Sequence, residues 1–465
     1  MGSFQRQDAK TPRRHGRASV CLVSDETMAD RSHCFAVLNG FFFLASWRLG
    51  VLAIFTLGLT APVQAQLLQG AWVDAAQERI EQHRMTDLRV IVLNADGNPV
   101  EGATVRIEQV AHDFEVGCTF DDRVVMGMDL GDPVLGVFNA ISLASLTGWP
   151  TMEASVDDVR GLDRLDAVLS GVATTGRTIR WGPVLSADPA ANPDWLAGQD
   201  AMAMEASVRE HVGVVMTVFG KRIDGFDLYA DALSHRMMQD RLGLAGVRRL
   251  FQQARFLAPG VPMSLRVRGG LSPGRERRLF ETVAGLNQLV VPFDGLTIEQ
   301  RFEGRVEPLR LERSLDRAGA LGKPITLAEL EVGGPTPVAA AINLETVLRL
   351  AFAEPSVAGV YMKSVRPGEG LAEHAELIGA DGQPTPSGKT LEGLFKGLWW
   401  TDTVGTGDEL GNVYERVFAG RYRLSVLVDG GDDAAKQRVA YSVLVHVPRS
   451  AEERVVVLQP LKAGR

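Results

Sequence analysis

Ile223-Asp224-Gly225-Phe226-Asp227-Leu228-Tyr229-Ala230-Asp231 and Pro324-Ile325-Thr326-Leu327-Ala328-Glu329-Leu330-Glu331-Val332 are short apolar runs that each end on acids. Both read as buried parallel strands, because their apolar residues are near-continuous instead of strictly alternating. Six companions have the same texture, over residues 114–120, 138–146, 177–181, 263–267, 289–298 and 358–362. Between them lie helical stretches such as 156–170, 204–218, 244–257 and 344–352. Strands alternating with longer helices imply parallel strands joined by helical crossovers. Eight strands within residues 112–403 fit an α/β fold, a (β/α)8 TIM barrel, which is typically about 250 residues long. A doubly wound open sheet would need a glycine-rich phosphate loop after its first strand. Neither G-x-G-x-x-G nor G-x-x-x-x-G-K-[ST] occurs there.

The flanks have a different period. Leu88-Arg89-Val90-Ile91-Val92-Leu93, the turn Asn94-Ala95-Asp96-Gly97-Asn98-Pro99 and Ala103-Thr104-Val105-Arg106-Ile107-Glu108 read as a β-hairpin after a short amphipathic helix over 71–85. Strand texture returns at 421–428, 439–446 and 455–458, with a turn at 430–433. An isolated hairpin is marginal in water, so the two flanks are expected to share one accessory β-sandwich, with segments 66–111 and 404–465 on either side of the barrel.

The first 65 residues are set apart. After Arg48, residues 49–59 form an apolar run of signal-peptide length, followed by Ala61-Pro62-Val63-Gln64-Ala65, which predicts cleavage after Ala65. A membrane anchor is the weaker option, because residues 41–59 are interrupted by Arg48 and are short for a span of about 20 residues. The expectation is a periplasmic or secreted protein with no stable membrane span after cleavage. Removing residues 1–65 takes away seven Lys/Arg and four Asp/Glu and leaves 400 residues at a net charge of −11. An acidic chain of this kind is a poor partner for nucleic acid, whose binders carry a basic excess.

Other chemistries are excluded by what is missing. Three cysteines cannot build a disulfide framework or a zinc ribbon. No two histidines of residues 66–465 lie two to four positions apart, there is no H-E-x-x-H, and no metal or cofactor is expected. The remaining candidates are acids at strand ends, where barrel enzymes keep their sites. Asp231 ends the fourth strand, and alternation puts Glu329 and Glu331 of the seventh on one side. Two carboxylates at strand ends suit glycosidic cleavage, in which one protonates the leaving oxygen and the other attacks the anomeric carbon. They could equally cap the following helices or pair with arginines.

Ordered motifs carry a family resemblance over about residues 108–402. His112-Asp113-Phe114-Glu115-Val116-Gly117 stands for a first-strand F-x-F-G and Gly176-Arg177-Thr178-Ile179-Arg180-Trp181 for G-H-T-L-V-W. Phe226 to Asp231 stands for W-D-V-V-N-E, Asp294 to Glu299 for D-G-I-G-x-Q, Ile325 to Glu331 for I-x-x-T-E-L-D, and Asp381 to Pro386 with Trp399-Trp400-Thr401 for the close. In these the chain resembles glycoside hydrolase family 10, the xylanases. The resemblance implies a retaining hydrolase of O-glycosidic bonds in a β-glycan such as xylan, with Glu329 as nucleophile and Asp231 as acid/base. It places Arg177 and Arg301 where the family has histidines, Glu299 where it has Gln, Ala230 where it has Asn, and Met362 or Lys363 where it has Trp. Asp for Glu retracts a proton donor by about one bond length, roughly 1.5 Å, and a misplacement of that order can cost about 10²-fold. Arginines beside Glu329 or Glu299 would lock those carboxylates in ion pairs. They would make either a pocket for an acidic sugar or internal counterions. Trp149, Trp181 and Trp195 are the expected sugar platforms. The opposing expectation is a catalytically impaired barrel that binds glycan or serves structurally.

Overall fold

The computed structural model describes residues 70–119, 134–153, 160–272, 274–429 and 437–460. The cleavable leader read in residues 1–65, the start of the helix expected at 156 and the turn at 430–433 lie outside the described residues.

Sixteen strands are named in chain order. They are β1 (Met85–Val92), β2 (Thr104–His112), β3 (Glu115–Thr119), β4 (Ala140–Ser142), β5 (Thr178–Trp181), β6 (Leu185–Ser186), β7 (Gly225–Ala230) and β8 (Met263–Arg268). They continue with β9 (Gly295–Phe302), β10 (Ile325–Val332), β11 (Val357–Met362), β12 (Asp402–Thr406), β13 (Asn412–Phe418), β14 (Gly420–Asp429), β15 (Gln437–Val447) and β16 (Arg454–Leu458). Strands β3, β4, β5, β7, β8, β9, β10 and β11 pair in parallel, and the ring closes where β11 meets β3 at Gly359↔Glu115. This is the (β/α)8 barrel, with all eight strands at the expected places. An open doubly wound sheet is excluded by the closing pair.

The crossovers are helices with start signals in the sequence. Thr336 caps Pro337–Ala353 by accepting from the Ala339 amide, and Pro337 sits in the first turn, where its missing N–H costs nothing. Asp200 does the same for Ala201–Phe219 through the Ala203 amide. Two strands depart most from the sequence reading. Residues 289–294 are a connector and not part of the sixth strand, which begins only at Gly295. Pro292 lacks an amide for a ladder and Val290 is left-handed at φ 53°, so an apolar run whose Val291 and Phe293 are buried still cannot pair. The second strand is only Ala140–Ser142, because the chain turns at Leu143, whose carbonyl accepts from the Leu146 and Thr147 amides.

The flanks do form two facing sheets around one apolar core of Leu88, Val90, Ile107, Val413, Leu424 and others. The orders are β13-β1-β16 and β12-β2-β14-β15. The expected hairpin is corrected here: β1 and β2 lie in different sheets. The turn at Asn94 closes only one bridge, Leu93↔Pro99, after which the two strands part to cover opposite sides of the core. Residues 70–84 form the first helix, and its last residue, Arg84, ties the sandwich to the barrel through the carbonyls of Phe352, Glu354 and Val357.

Candidate active site

The barrel interior is charged. Arg180 of β5, Asp227 of β7 and Arg266 of β8 point inward, with Thr297 Oγ1 donating to Asp227 Oδ1 at 2.6 Å. Asp227 has room because Gly182 faces it, where a Cβ would come within 2.3 Å of the Asp227 Cβ. Gly117 likewise leaves space for the Tyr361 ring. Tyr361 donates to Glu115 at 2.7 Å, and burial pushes its hydroxyl pKa well up.

From that base an alternating string of charges climbs to the C-terminal ends of the strands. Arg266, 3% exposed, donates Nε to Glu299 Oε1 at 2.6 Å and Nη1 to Asp227 Oδ2 at 3.2 Å, and its Nη2 lies 3.7 Å from Glu329 Oε1. Burial alone would lower its pKa, but Glu299, Asp227 and Glu329 together raise it above the ordinary value. Burial likewise pushes the Glu299 carboxyl up, and Arg266 and Arg268 more than reverse that, leaving it below the usual carboxylate value. Arg268 reaches Glu299 Oε2 at 3.0 Å and lies 3.6 Å from Asp231 Oδ1.

The two acids close the string. Glu329 Oε1 accepts from Thr119 Oγ1 at 2.6 Å, and Lys363 Nζ sits 2.5 Å from Oε2. Asp231 Oδ2 accepts from Ser186 Oγ at 2.8 Å. Both acids adopt left-handed backbone, φ 46° at Glu329 and φ 61° at Asp231, which costs a residue with a Cβ of order 1–3 kcal/mol and concentrates at functional sites. Among the described residues only Val290 and His374 share this without being glycine. At Glu329 the ladder to both neighbours also slips register, as a bulge does when it re-aims a side chain. The slip undoes the alternation expected for Glu329 and Glu331, and Glu331 instead accepts from the Leu371 and Ala372 amides.

Asp231, Glu299 and Glu329 are therefore brought together, whereas the other expected site residues sit elsewhere. Arg177 precedes β5, so it lies at the N-terminal face and gives its guanidinium to the carbonyls of Phe138 and Leu135. Arg301 pairs with Glu303 at 2.7 Å. Trp181 is fully buried against Phe219 and Phe226. Trp149 is buried, stacks on His211 at 4.1 Å and donates to Glu153, with Trp195 against its edge. These tryptophans are packing residues and not sugar platforms. The cations expected beside the acids are present, supplied by Arg266, Arg268 and Lys363 instead of Arg177 and Arg301. The signal for the first two was the polar alternation Ser264, Arg266, Arg268 in an otherwise apolar strand. Among the described residues no cluster of His, Cys, Asp and Glu is placed to hold a metal ion, and no helix is long and apolar enough to cross a membrane.

The fold and the strand-end acids define a glycosidase-type barrel. No family model matches the chain. Among solved structures it is similar to xylanase 10B from Thermotoga petrophila RKU-1 in complex with xylobiose, with a TM-score of 0.54 and 14% identity over 61% of this chain and 94% of that one. It is equally similar to native xylanase 10B from Thermotoga maritima, at a TM-score of 0.54 and 14% identity, covering 61% and 95%. Among curated proteins it is 24% identical to the anti-sigma-I factor RsgI6 of Acetivibrio thermocellus over 77% of this chain, and 22% identical to endo-1,4-beta-xylanase 1 of Arabidopsis thaliana over 77%. The chain spans 47% and 38% of those two relatives' lengths. The chain is thus similar in sequence to xylanases and shares the barrel fold of these structures.

Proposed function

We propose that the protein is an exported retaining glycosidase acting on a xylan-type β-glycan. The observation that carries this reading is the pair Asp231 and Glu329, both in strained left-handed backbone at strand ends and joined through Glu299, Arg266 and Arg268. In this mechanism Asp231 gives its proton to the leaving oxygen while Glu329 attacks the anomeric carbon, and the Asp231 carboxylate then takes a proton from the water that releases the sugar. Substrate must first draw Lys363 away from Glu329, because an ammonium 2.5 Å from Oε2 stabilises the carboxylate charge and lowers its nucleophilicity. The likeness to xylanases supports xylan as substrate class. The apolar run at 49–59 and the small residues before Gln66 support export to the periplasm or beyond, and N-terminal sequencing of the cell-made protein checks the cut after Ala65.

The Lys363 contact favours a second reading, a barrel that binds glycan without turning it over. One experiment separates the two. Wild type, Glu329→Ala and Lys363→Ala are assayed on aryl β-xylosides, aryl β-glucosides and soluble xylan, with binding followed in parallel. Hydrolysis that disappears in Glu329→Ala supports the glycosidase. Binding without hydrolysis in wild type replaces it with the binder. Hydrolysis that appears only in Lys363→Ala assigns Lys363 as the group that silences the site.

A further inference from the structure

At the face of the barrel opposite Glu329, a cavity of about 520 Å³ opens between the N-terminal strand ends and the sandwich, within the size range usual for small-molecule sites. Its walls include Arg84, Lys323, Arg449, Asp113, Phe114 and Phe352. Arg84 is 6% exposed and stands between two aromatic rings, 4.9 Å from the centroid of Phe114 and 5.1 Å from that of Phe352. Its Nε donates to Phe352 O at 2.6 Å, and its Nη2 to Glu354 O at 2.6 Å and Val357 O at 2.8 Å, all neutral oxygens. Lys323 Nζ donates to Phe293 O at 2.9 Å, and Arg449 Nη1 to Pro355 O at 2.8 Å, which are neutral again.

The acids nearby are engaged elsewhere. Asp113 holds His446 at 2.8 Å, and the Glu354 side chain reaches Arg79 at 2.9 Å. Burial, and then repulsion from Arg449, pull the Arg84 pKa down to about 9, with the Glu354 carboxylate opposing them only in part. The buried arginines of the barrel interior, Arg180 and Arg266, contrast sharply, because each lies within reach of carboxylates.

We propose that this cavity binds a small oxyanion, a carboxylate or phosphate borne on a short apolar or sugar-sized body, between Arg84, Lys323 and Arg449. The anion supplies the counter-charge the fold leaves out, and the aromatic and proline walls cover its body. The N-terminal face of such barrels serves stability and not chemistry, so the occupant acts as a staple between sandwich and barrel and raises Tm by mass action. The inference does not depend on the proposed glycosidase activity.

The full chain is titrated by calorimetry and thermal shift with inorganic phosphate, sodium glucuronate and sodium benzoate at matched ionic strength, with xylose as the neutral control. At least one anion is expected to bind saturably and raise Tm. Its Kd should weaken about tenfold in Arg449→Ala and again in Lys323→Met, as for loss of one charged donor. It should hold in Arg268→Ala, which removes a cation from the opposite face. Binding of phosphate alone, or of the carboxylates alone, names the source. The proposal falls if no anion binds saturably, if xylose binds as well as the anions, if the Arg449→Ala/Lys323→Met double variant binds like wild type, or if Arg268→Ala abolishes binding. Circular dichroism of each variant ensures that a lost signal is not lost folding.

Discussion

The two ends of the barrel treat charge in opposite ways. Toward the C-terminal ends, each of Arg266, Arg268 and Lys363 meets a carboxylate, and Asp227, Asp231, Glu299 and Glu329 each meet a cation. At the N-terminal end Arg84, Lys323 and Arg449 bond only carbonyl oxygens among the described residues. A buried ion pair gives little net stability, since mutual attraction repays the desolvation of both groups, but losing one partner strands the other. A cation on carbonyls has no anionic partner to strand. The comparison implies that a ligand at the acidic end must compete with internal pairs, whereas one at the cationic end meets charge still uncompensated.

The largest effect is expected where the string is deepest. Arg266→Met should cost about 3–5 kcal/mol in urea unfolding, because Asp227, Glu299 and Glu329 are all left without their shared cation. Arg84→Met at the other end should cost about 1–3 kcal/mol, the penalty for buried carbonyls left unbonded. Adding Glu299→Gln to Arg266→Met should recover part of the loss, with no such rescue for Arg84→Met. Equal costs at the two ends would erase the distinction between them.

Acid should find the ends at different pH values. Burial, helped by Lys396 and Arg84 against the Phe395 carbonyl, holds His112 down to about 4. The unfolded chain takes up this proton near pH 6.5 and the folded chain refuses it until about 4, so stability falls as pH drops through that window and levels below it. The loss should be on the order of 2 kcal/mol, given that His112 is half-buried, and it should be absent in His112→Gln. Glu299 at the other end is depressed, so its contribution is present above the ordinary carboxylate value near 4.3 and is lost as pH falls through its lower folded value. Urea midpoints of wild type, His112→Gln and Glu299→Gln from pH 8 to 3 should separate the two windows. A single transition shared by all three proteins would mean that neither group sets the acid limit.

The barrel was legible because its signal is redundant: eight apolar strands spaced by helices agree with one another, so a misplaced boundary such as 289–298 does not change the topology. The hairpin was misread because alternation and a turn signal are shared by strands that pair and strands that part after one bridge. The strand-end position of Asp231 and Glu329 was legible from the strand pattern. Their partners were not, because motif matching follows position along the chain and ion pairing follows position around the ring. Arg177 matches a motif but precedes its strand and faces the wrong end, whereas Arg266 matches none of the motifs and sits among three acids. The alternation argument applied to Glu329 and Glu331 would have found Arg266 and Arg268 had it been applied to β8, and it failed at Glu329 itself because a left-handed residue breaks the period.

The smallest stability effect belongs to the outer link of the string. Arg268 makes two of the contacts that tie Asp231 to Glu299, yet its side chain is 60% exposed, whereas that of Arg266 is 4% exposed. Water and salt screen an exposed guanidinium, so Arg268→Ala should change unfolding stability by no more than about 1 kcal/mol, and that change should shrink in 1 M salt, where the screening length is about 3 Å. Paired urea titrations at low and high salt measure this directly. A salt-independent loss above about 2 kcal/mol would mean that the string behaves as one cooperative unit from Asp231 to Lys363, and that burial does not grade the worth of its links.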